Sequence, residues 1–141
     1  MYEMNKILID THIFLWLMNG SNKMPSQALQ KIESCIKNEG RIIVSAISIW
    51  EIGMLVNKGR ITLKEPTLQW INTALNAPYV DLASLSPEIA VESCQLPIEF
   101  HGDPADRIIV ATSRVLTIPL LTKDAYIHQY AKNGHIQCLE I

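Results

Sequence analysis

Cysteine is scarce and unpatterned. Cys35, Cys94 and Cys138 are the only three in 141 residues, far apart and odd in number. No CxxC pair or metal-ligand spacing occurs. That excludes a disulfide framework and a thiolate zinc site, and leaves buried free thiols as the expectation. Long apolar runs are also missing. No stretch approaches the roughly 18 uninterrupted apolar residues of a membrane span, although 48% of the chain is hydrophobic. The amino terminus, MYEMNKILID, lacks a basic region followed by a long apolar stretch. No signal peptide and no membrane association are expected, and a cytoplasmic location is. Positive charge is not in excess: the net charge is −2 and the sequence pI is near 6.1. This argues against a generic basic nucleic-acid binder. It does not exclude a nuclease, because a bound divalent cation adds its own positive charge. Internal repeats, low-complexity tracts and linkers are absent, so a single domain over residues 1–141 is expected, large enough for a proper core.

Aspartate is sparse too, with five in the chain, and its placement is the informative feature. The stretch 102–117, GDPADRIIVATSRVLT, carries two of them. Pro104 favours the first position of a helix, and Ile108, Ile109, Ala111, Thr112 and Val115 follow at helical spacing. Asp103 then reads as the N-cap and Asp106 as the third helical residue, with both carboxylates near the amino end.

The remaining chain alternates strands and helices. KILID (6–10) and RIIV (41–44) read as strands buried on both faces. Residues 79–82 and 118–122 read as further strands, and 137–139 as a short final one. Helices are expected over 11–18, 25–39, 45–57, 66–77, 86–96, 103–117 and 124–132. In the third, Ser48 and Glu51 have capping-box spacing. In the fourth, Leu68, Ile71 and Leu75 are expected to point inward. The pattern indicates an α/β fold, a parallel sheet with helices on both faces and right-handed crossovers.

In such sheets function gathers at the carboxyl ends of the strands. Asp10 ends the first strand, Asp103 and Asp106 open a helix, and Asp124 follows the strand IPLLT. Glu51 lies in the first turns of the helix after the second strand. All five belong to one edge of the molecule. Each alone has a structural explanation: Asp10 as a cap, Glu51 in a capping box, Asp124 on a helix dipole. Together they form an acidic group whose only basic sequence neighbours are Arg107 and Lys123. Two carboxylates about 4 Å apart repel by roughly 4 kcal/mol at an effective dielectric of 20. Such a cluster requires protons or a cation, and oxygen-only ligands favour Mg2+ or Mn2+ over zinc. Metal-assisted attack of water on a phosphodiester is the chemistry that follows.

Four blocks, DTHIFLWL from Asp10, SAISIWEI around Glu51, GDPADRIIVATS from Gly102 and PLLTKD ending at Asp124, resemble the acidic blocks of the PIN-domain nucleases, most closely the VapC-type toxins of toxin–antitoxin pairs. The resemblance covers nearly the whole chain, in order. It implies a PIN-like three-layer α/β/α sandwich with a mostly parallel five-stranded sheet, and Mg2+- or Mn2+-dependent endoribonuclease activity on RNA. It further implies a homodimer and inhibition by a small, DNA-binding antitoxin. Carried over by position, Asp10, Glu51, Asp106 and Asp124 match the catalytic, metal-holding quartet. Asp10 and Asp106 would hold the principal ion, Glu51 would orient the attacking water, and Asp124 would complete the shell or hold a second ion. Thr11, beside Asp10, and Thr122, in the TKD block, are auxiliary positions. Asp103 assists or only caps. Arg107 pairs with an acid or contacts a phosphate or an antitoxin carboxylate.

His12 and His101 flank the acidic blocks as surface histidines or substrate contacts. Trp16 and Trp50, on apolar helix faces, are weighed as base-stacking platforms and expected in the core instead. Lys58, Arg60 and Lys64 form a modest basic patch. Two other classes are weighed. A receiver- or phosphatase-type phosphoryl-transfer domain needs paired acids at one strand end, whereas Asp10 is followed by Thr11 and His12. A non-catalytic PIN-like module would bind RNA or a partner without cutting.

Overall fold

The structure is a computed structural model that describes residues 5–100 and 102–141; the expectation for His101 lies outside the described residues. Four parallel strands form the sheet: β1 (Lys6–Ile9), β2 (Arg41–Ser45), β3 (Val80–Ala83) and β4 (Leu120–Leu121). Their order is β3-β2-β1-β4, with Leu8 opposite Ile43 and Leu120. The expected fifth strand is reduced to one bridge, Cys138 beside Leu120, held by Leu120 N–H to Gln137 O and Leu139 N–H to Leu120 O. Only Leu120 and Leu121 of the expected 118–122 strand are regular. Pro119 has no N–H to give, and the Ile118 N–H is used by Ser113 O at the end of the preceding helix.

Seven helices flank the sheet among the described residues: α1 (Thr11–Asn19), α2 (Ser26–Lys37), α3 (Ala46–Asn57), α4 (Thr67–Leu75), α5 (Pro87–Cys94), α6 (Pro104–Leu116) and α7 (Ala125–Ala131). Strand alternation explains the three layers. Ile7, Ile9, Ile42 and Val44 point to one face and pack with Ile13 and Phe14 of α1, Ile32 of α2, Ile52 of α3 and Trp70 of α4. Leu8, Ile43 and Leu120 point to the other, against Ile109 and Val110 of α6 and Ile127 and Tyr130 of α7. Both faces of the central strands are therefore buried, as their continuous apolar sequences require.

Three expectations about burial are corrected. Leu68 is 69% exposed, because Trp70, Ile71 and Ala74 supply the inward face of α4. Trp50 is 57% exposed: Ile52, two positions on and so on roughly the opposite side of the helix, takes the core position of α3. Of the cysteines only Cys35 is buried; Cys94 is exposed at the end of α5, and Cys138 is half-buried.

Gly40 is required by close approach. A Cβ there would lie 2.5 Å from Cys35 Sγ and 2.8 Å from Asn5 O, where α2 turns into β2. The Asn5 carbonyl already accepts from Arg41 N–H at 2.7 Å, so it cannot move freely. Gly40→Ala is expected to cost about 1–3 kcal/mol through overpacking, measurable as a lowered urea midpoint with an unchanged m-value.

Candidate active site

Because the strands are parallel, their carboxyl ends share one edge, and a crevice of about 470 Å3 opens there, lined by Asp10, Glu51, Asp103, Asp106 and Asp124 together with Thr11, His12, Trp16, Ile109 and Lys123. All five acids expected to meet do so.

Each acid is placed by local structure. Asp10 is the N-cap of α1, its Oδ1 accepting from Ile13 N–H at 2.9 Å. Its Oδ2 accepts from the Thr122 hydroxyl, which also takes the Asp124 N–H at 3.0 Å. Thr122 is fully buried, so it joins the ends of β1 and β4 and fixes the Asp10 carboxylate in rotation. Asp124 caps α7, accepting from Tyr126 and Ile127 N–H. Asp103 caps α6, with Oδ1 2.9 Å from Asp106 N. Asp103 therefore caps and lines the crevice at once.

Glu51 is positioned differently from the sequence expectation. The Ser48–Glu51 capping box does not form. Ser45 is the N-cap of α3, accepting from Ile47 N–H, which moves Ser48 and Glu51 into the helix. Three apart, they share a face, and that face meets α1. The buried Thr11 hydroxyl donates to Glu51 Oε1 and lies 2.9 Å from Ser48 Oγ. Thr11 thus orients Glu51 as Thr122 orients Asp10.

The electrostatics follow from crowding. The Asp106 carboxyl is pushed up to about 7 by burial, then by the charges of Asp103, Asp124, Glu51 and Asp10. Burial also pushes Asp10 up, against the Thr122 and Ile13 hydrogen bonds and the neighbouring His12. These are groups short of positive charge. The carboxylates converge from α1, α3, α6 and the β4–α7 junction, and Lys123 is the one lysine or arginine among the described residues that lines the crevice with them. A hard divalent cation fits this set. Among the described residues, no three Asp, Glu, His or Cys side chains close into a preformed ligand group; the acids ring the crevice.

Arg107 is not brought to the crevice. Its Nε donates to Ser93 O at 3.0 Å and its Nη1 to Phe100 O, tying α6 to the end of α5 and to the loop that follows. Pairing with an acid is replaced by this structural tie, because position 107 lies about a quarter-turn around α6 from Asp106. Arg107→Ala is expected to lower stability by about 1–3 kcal/mol through two lost charge-assisted hydrogen bonds. A chemical denaturation curve measures this, with turnover retained by the folded fraction. Lys58, Arg60 and Lys64 also stand apart from the crevice.

Trp16 and Lys123 also line the crevice. Trp16 was expected in the core, yet it is half-buried on the crevice wall. Its signal is spacing: His12 and Trp16 are one helical turn apart, directly after Asp10, and their rings lie 5.8 Å apart.

Comparison with known proteins agrees with this geometry. The PIN domain family model matches residues 7–133. Ribonuclease VapC22 of Mycobacterium tuberculosis is 34% identical over 121 residues, 86% of this chain and 88% of that protein. VapBC2 from Rickettsia felis, solved bound to a DNA fragment from its promoter, superposes with a TM-score of 0.69 at 18% identity, over 95% of this chain and 97% of that one. VapBC-1 from nontypeable Haemophilus influenzae gives 0.63 at 19% identity, over 96% and 97%. These two likenesses establish the shared fold. The matched family model and the extent of identity with a ribonuclease, on a chain whose acids meet at one sheet edge, place this protein in the PIN-domain family, among its VapC-type endoribonucleases.

Proposed function

We propose that the chain is the toxin of a VapBC-type toxin–antitoxin pair, cutting RNA at the Asp10–Glu51–Asp106–Asp124 crevice with Mg2+ or Mn2+. The observation that carries the site assignment is the convergence of five carboxylates on one crevice, with Asp106 pushed up to about 7 by burial and then by its acidic neighbours. A cation neutralises that repulsion and at the same time draws a phosphodiester to an otherwise repelling surface.

Asp10 and Asp106 would hold the principal ion, and Asp124 would complete its shell. When bound, such an ion polarises the phosphoryl group and makes water acidic enough to act as nucleophile near neutral pH. The protein's own part is positioning. Thr122 and the Ile13 N–H hold the Asp10 carboxylate in one rotamer, so little reorganisation accompanies binding. Glu51 is held by Thr11 with its second oxygen available to accept a hydrogen bond from the attacking water and to take its proton. Asp103 keeps the first turn of α6, and with it Asp106, in register. Attack on phosphorus breaks the bond to one ribose oxygen, which leaves as an alkoxide and takes its proton from solvent water.

The structural neighbours include toxin–antitoxin complexes. This supports a small DNA-binding antitoxin as partner; an RNA substrate, a cytoplasmic site of action and a homodimeric toxin with its activity in one PIN domain belong to the same proposal. No helix among the described residues is long and apolar enough to cross a membrane. The reading is tested by incubating the purified chain with total RNA in Mg2+ or Mn2+. Discrete fragments that disappear with EDTA are the expected result; intact RNA under every metal condition counts against it.

A further inference from the structure

We infer that Trp16 and Lys123 form a substrate-binding rim, which takes an unpaired nucleotide beside the scissile phosphate and directs the RNA strand away across α7. This rests on the ribonuclease reading above. Three observations support it. First, Lys123 is the only lysine or arginine among the described residues lining the acidic crevice. Its Nζ stands 5.8 Å from the centroid of the Trp16 ring and forms no ion pair with a described carboxylate. A cation beside five acids that rests on an indole instead remains available to a phosphate.

Second, the Trp16 ring belongs to both environments. It packs against the main core cluster and also lines the crevice, with His12 tilted at 51° on it. It is therefore a rigid platform with a face toward solvent. An ammonium over an indole is held weakly at an exposed site, and a base can take its place. The displaced ammonium then meets the adjoining phosphate.

Third, Lys123 also lines a second cavity of about 510 Å3, together with Gln27, His128, Gln129 and Lys132. The two openings are thus joined at Lys123. Beyond Lys123 itself, the second one adds Lys132, with Glu140 also in its lining. A strand held at the acids and leaving over Lys123 meets Lys132 for its next phosphate, and amide side chains there can meet bases without fixed sequence demand. RNA fits this combination of aromatic face, phosphate-facing cation and basic exit.

The test measures binding of a random-sequence, single-stranded RNA pool by anisotropy in Ca2+, so that the acids are neutralised as the proposed function requires, alongside Mg2+- or Mn2+-dependent cleavage of the same pool. Trp16→Ala and Lys123→Ala are each expected to weaken binding by roughly tenfold and to raise KM by a similar factor, with kcat changed less. Trp16→Phe keeps an aromatic face and should recover most of the loss, whereas Trp16→Leu, apolar but not aromatic, should not; a merely structural role would let both recover. Lys123→Ala and Lys132→Ala should each reduce the slope of log K against log salt by about 0.7, the value for one phosphate contact on a single strand. Thermal melting establishes that each variant is folded; if Trp16→Ala is not, Trp16→Phe and the lysine variants still decide. Wild-type RNA binding that fails to appear, or that these substitutions leave unchanged in affinity and salt slope, overturns the rim. If inhibition by the antitoxin is lost instead, the rim belongs to the protein partner. Binding that depends on Trp16 and Lys123 without any cleavage would sink the ribonuclease reading and leave the rim standing.

Discussion

Asp106→Asn should give a protein that no longer cuts RNA yet is more stable than the parent when metal is removed at pH 8. Both effects come from one cause. Asp106 sits among Asp103, Asp124, Glu51 and Asp10, and burial and their charges raise its carboxyl from near 3.8 to about 7. A carboxyl whose pKa is raised on folding binds its proton more tightly in the native state. Between about pH 4 and pH 7 the native state holds more protons than the unfolded one, so stability falls as pH rises through that window and levels off above it. Asp106 is half-exposed, so solvent screening reduces the effect. About 1–2 kcal/mol is the destabilisation expected from its charge at pH 8 in EDTA. Asparagine is nearly isosteric, carries no charge, and leaves the backbone N–H free to reach Asp103. It therefore removes the repulsion and one of the proposed metal ligands together. Cleavage should fall by at least ~10²-fold, as for loss of a group stabilising transition-state charge. Urea unfolding in EDTA at pH 5 and pH 8 is the check. The parent should lose stability between the two and the variant much less. Equal pH dependence in both proteins would show that Asp106 does not carry the strain.

Asp10→Asn should have the larger catalytic effect and the smaller structural one. Asp10 receives the Ile13 N–H at the start of α1 and the Thr122 hydroxyl at the end of β4. Asparagine is as good an N-cap as aspartate, and its carbonyl oxygen can accept one of these bonds while the amide faces the other. Helix α1, whose Ile13 and Phe14 are fully buried, should therefore stay docked. The negative charge that would hold a cation is lost. Turnover should fall by roughly 10³-fold or more, with the melting temperature within a few degrees of the parent. The Thr122 bond is the weak point of the substitution, because Thr122 Oγ1 must still accept from Asp124 N–H. A melting temperature that collapsed along with activity would mean that Asp10 is chiefly a structural residue.

Where the sequence was a good guide, short-range rules decided the outcome. KILI and RIIV are apolar at every position after the first, and both became central strands with residues alternating between two cores. Pro104 after Asp103, and Pro87 after Ser86, opened helices with their side-chain caps in place. The five acids were expected at one edge because parallel strands end together, and that holds. The misreadings share a cause: a local motif was overtaken by tertiary contact. Ser48 and Glu51 fit a capping box in sequence, but Ser45 caps three residues earlier and Thr11, 40 positions from Glu51, captures the carboxylate. Arg107 stands next to Asp106, yet its guanidinium is taken by the carbonyls of Ser93 and Phe100 and not by an acid. Trp50 and Leu68 are apolar on helices whose buried faces were already filled by Ile52 and by Trp70 and Ile71. The fifth strand reduces to a bridge, because Leu120 and Leu121 offer only a short edge.

The central claim, that the acidic crevice is a metal-dependent ribonuclease site, is tested most directly by one comparison. Purified parent and Asp10→Asn proteins are incubated with total RNA, with and without Mg2+ or Mn2+, and the fragment ends are sequenced. Discrete fragments that require both the metal and the Asp10 carboxylate are the expected result. Cleavage by Asp10→Asn at the parental rate, or cleavage that persists in EDTA, would contradict it.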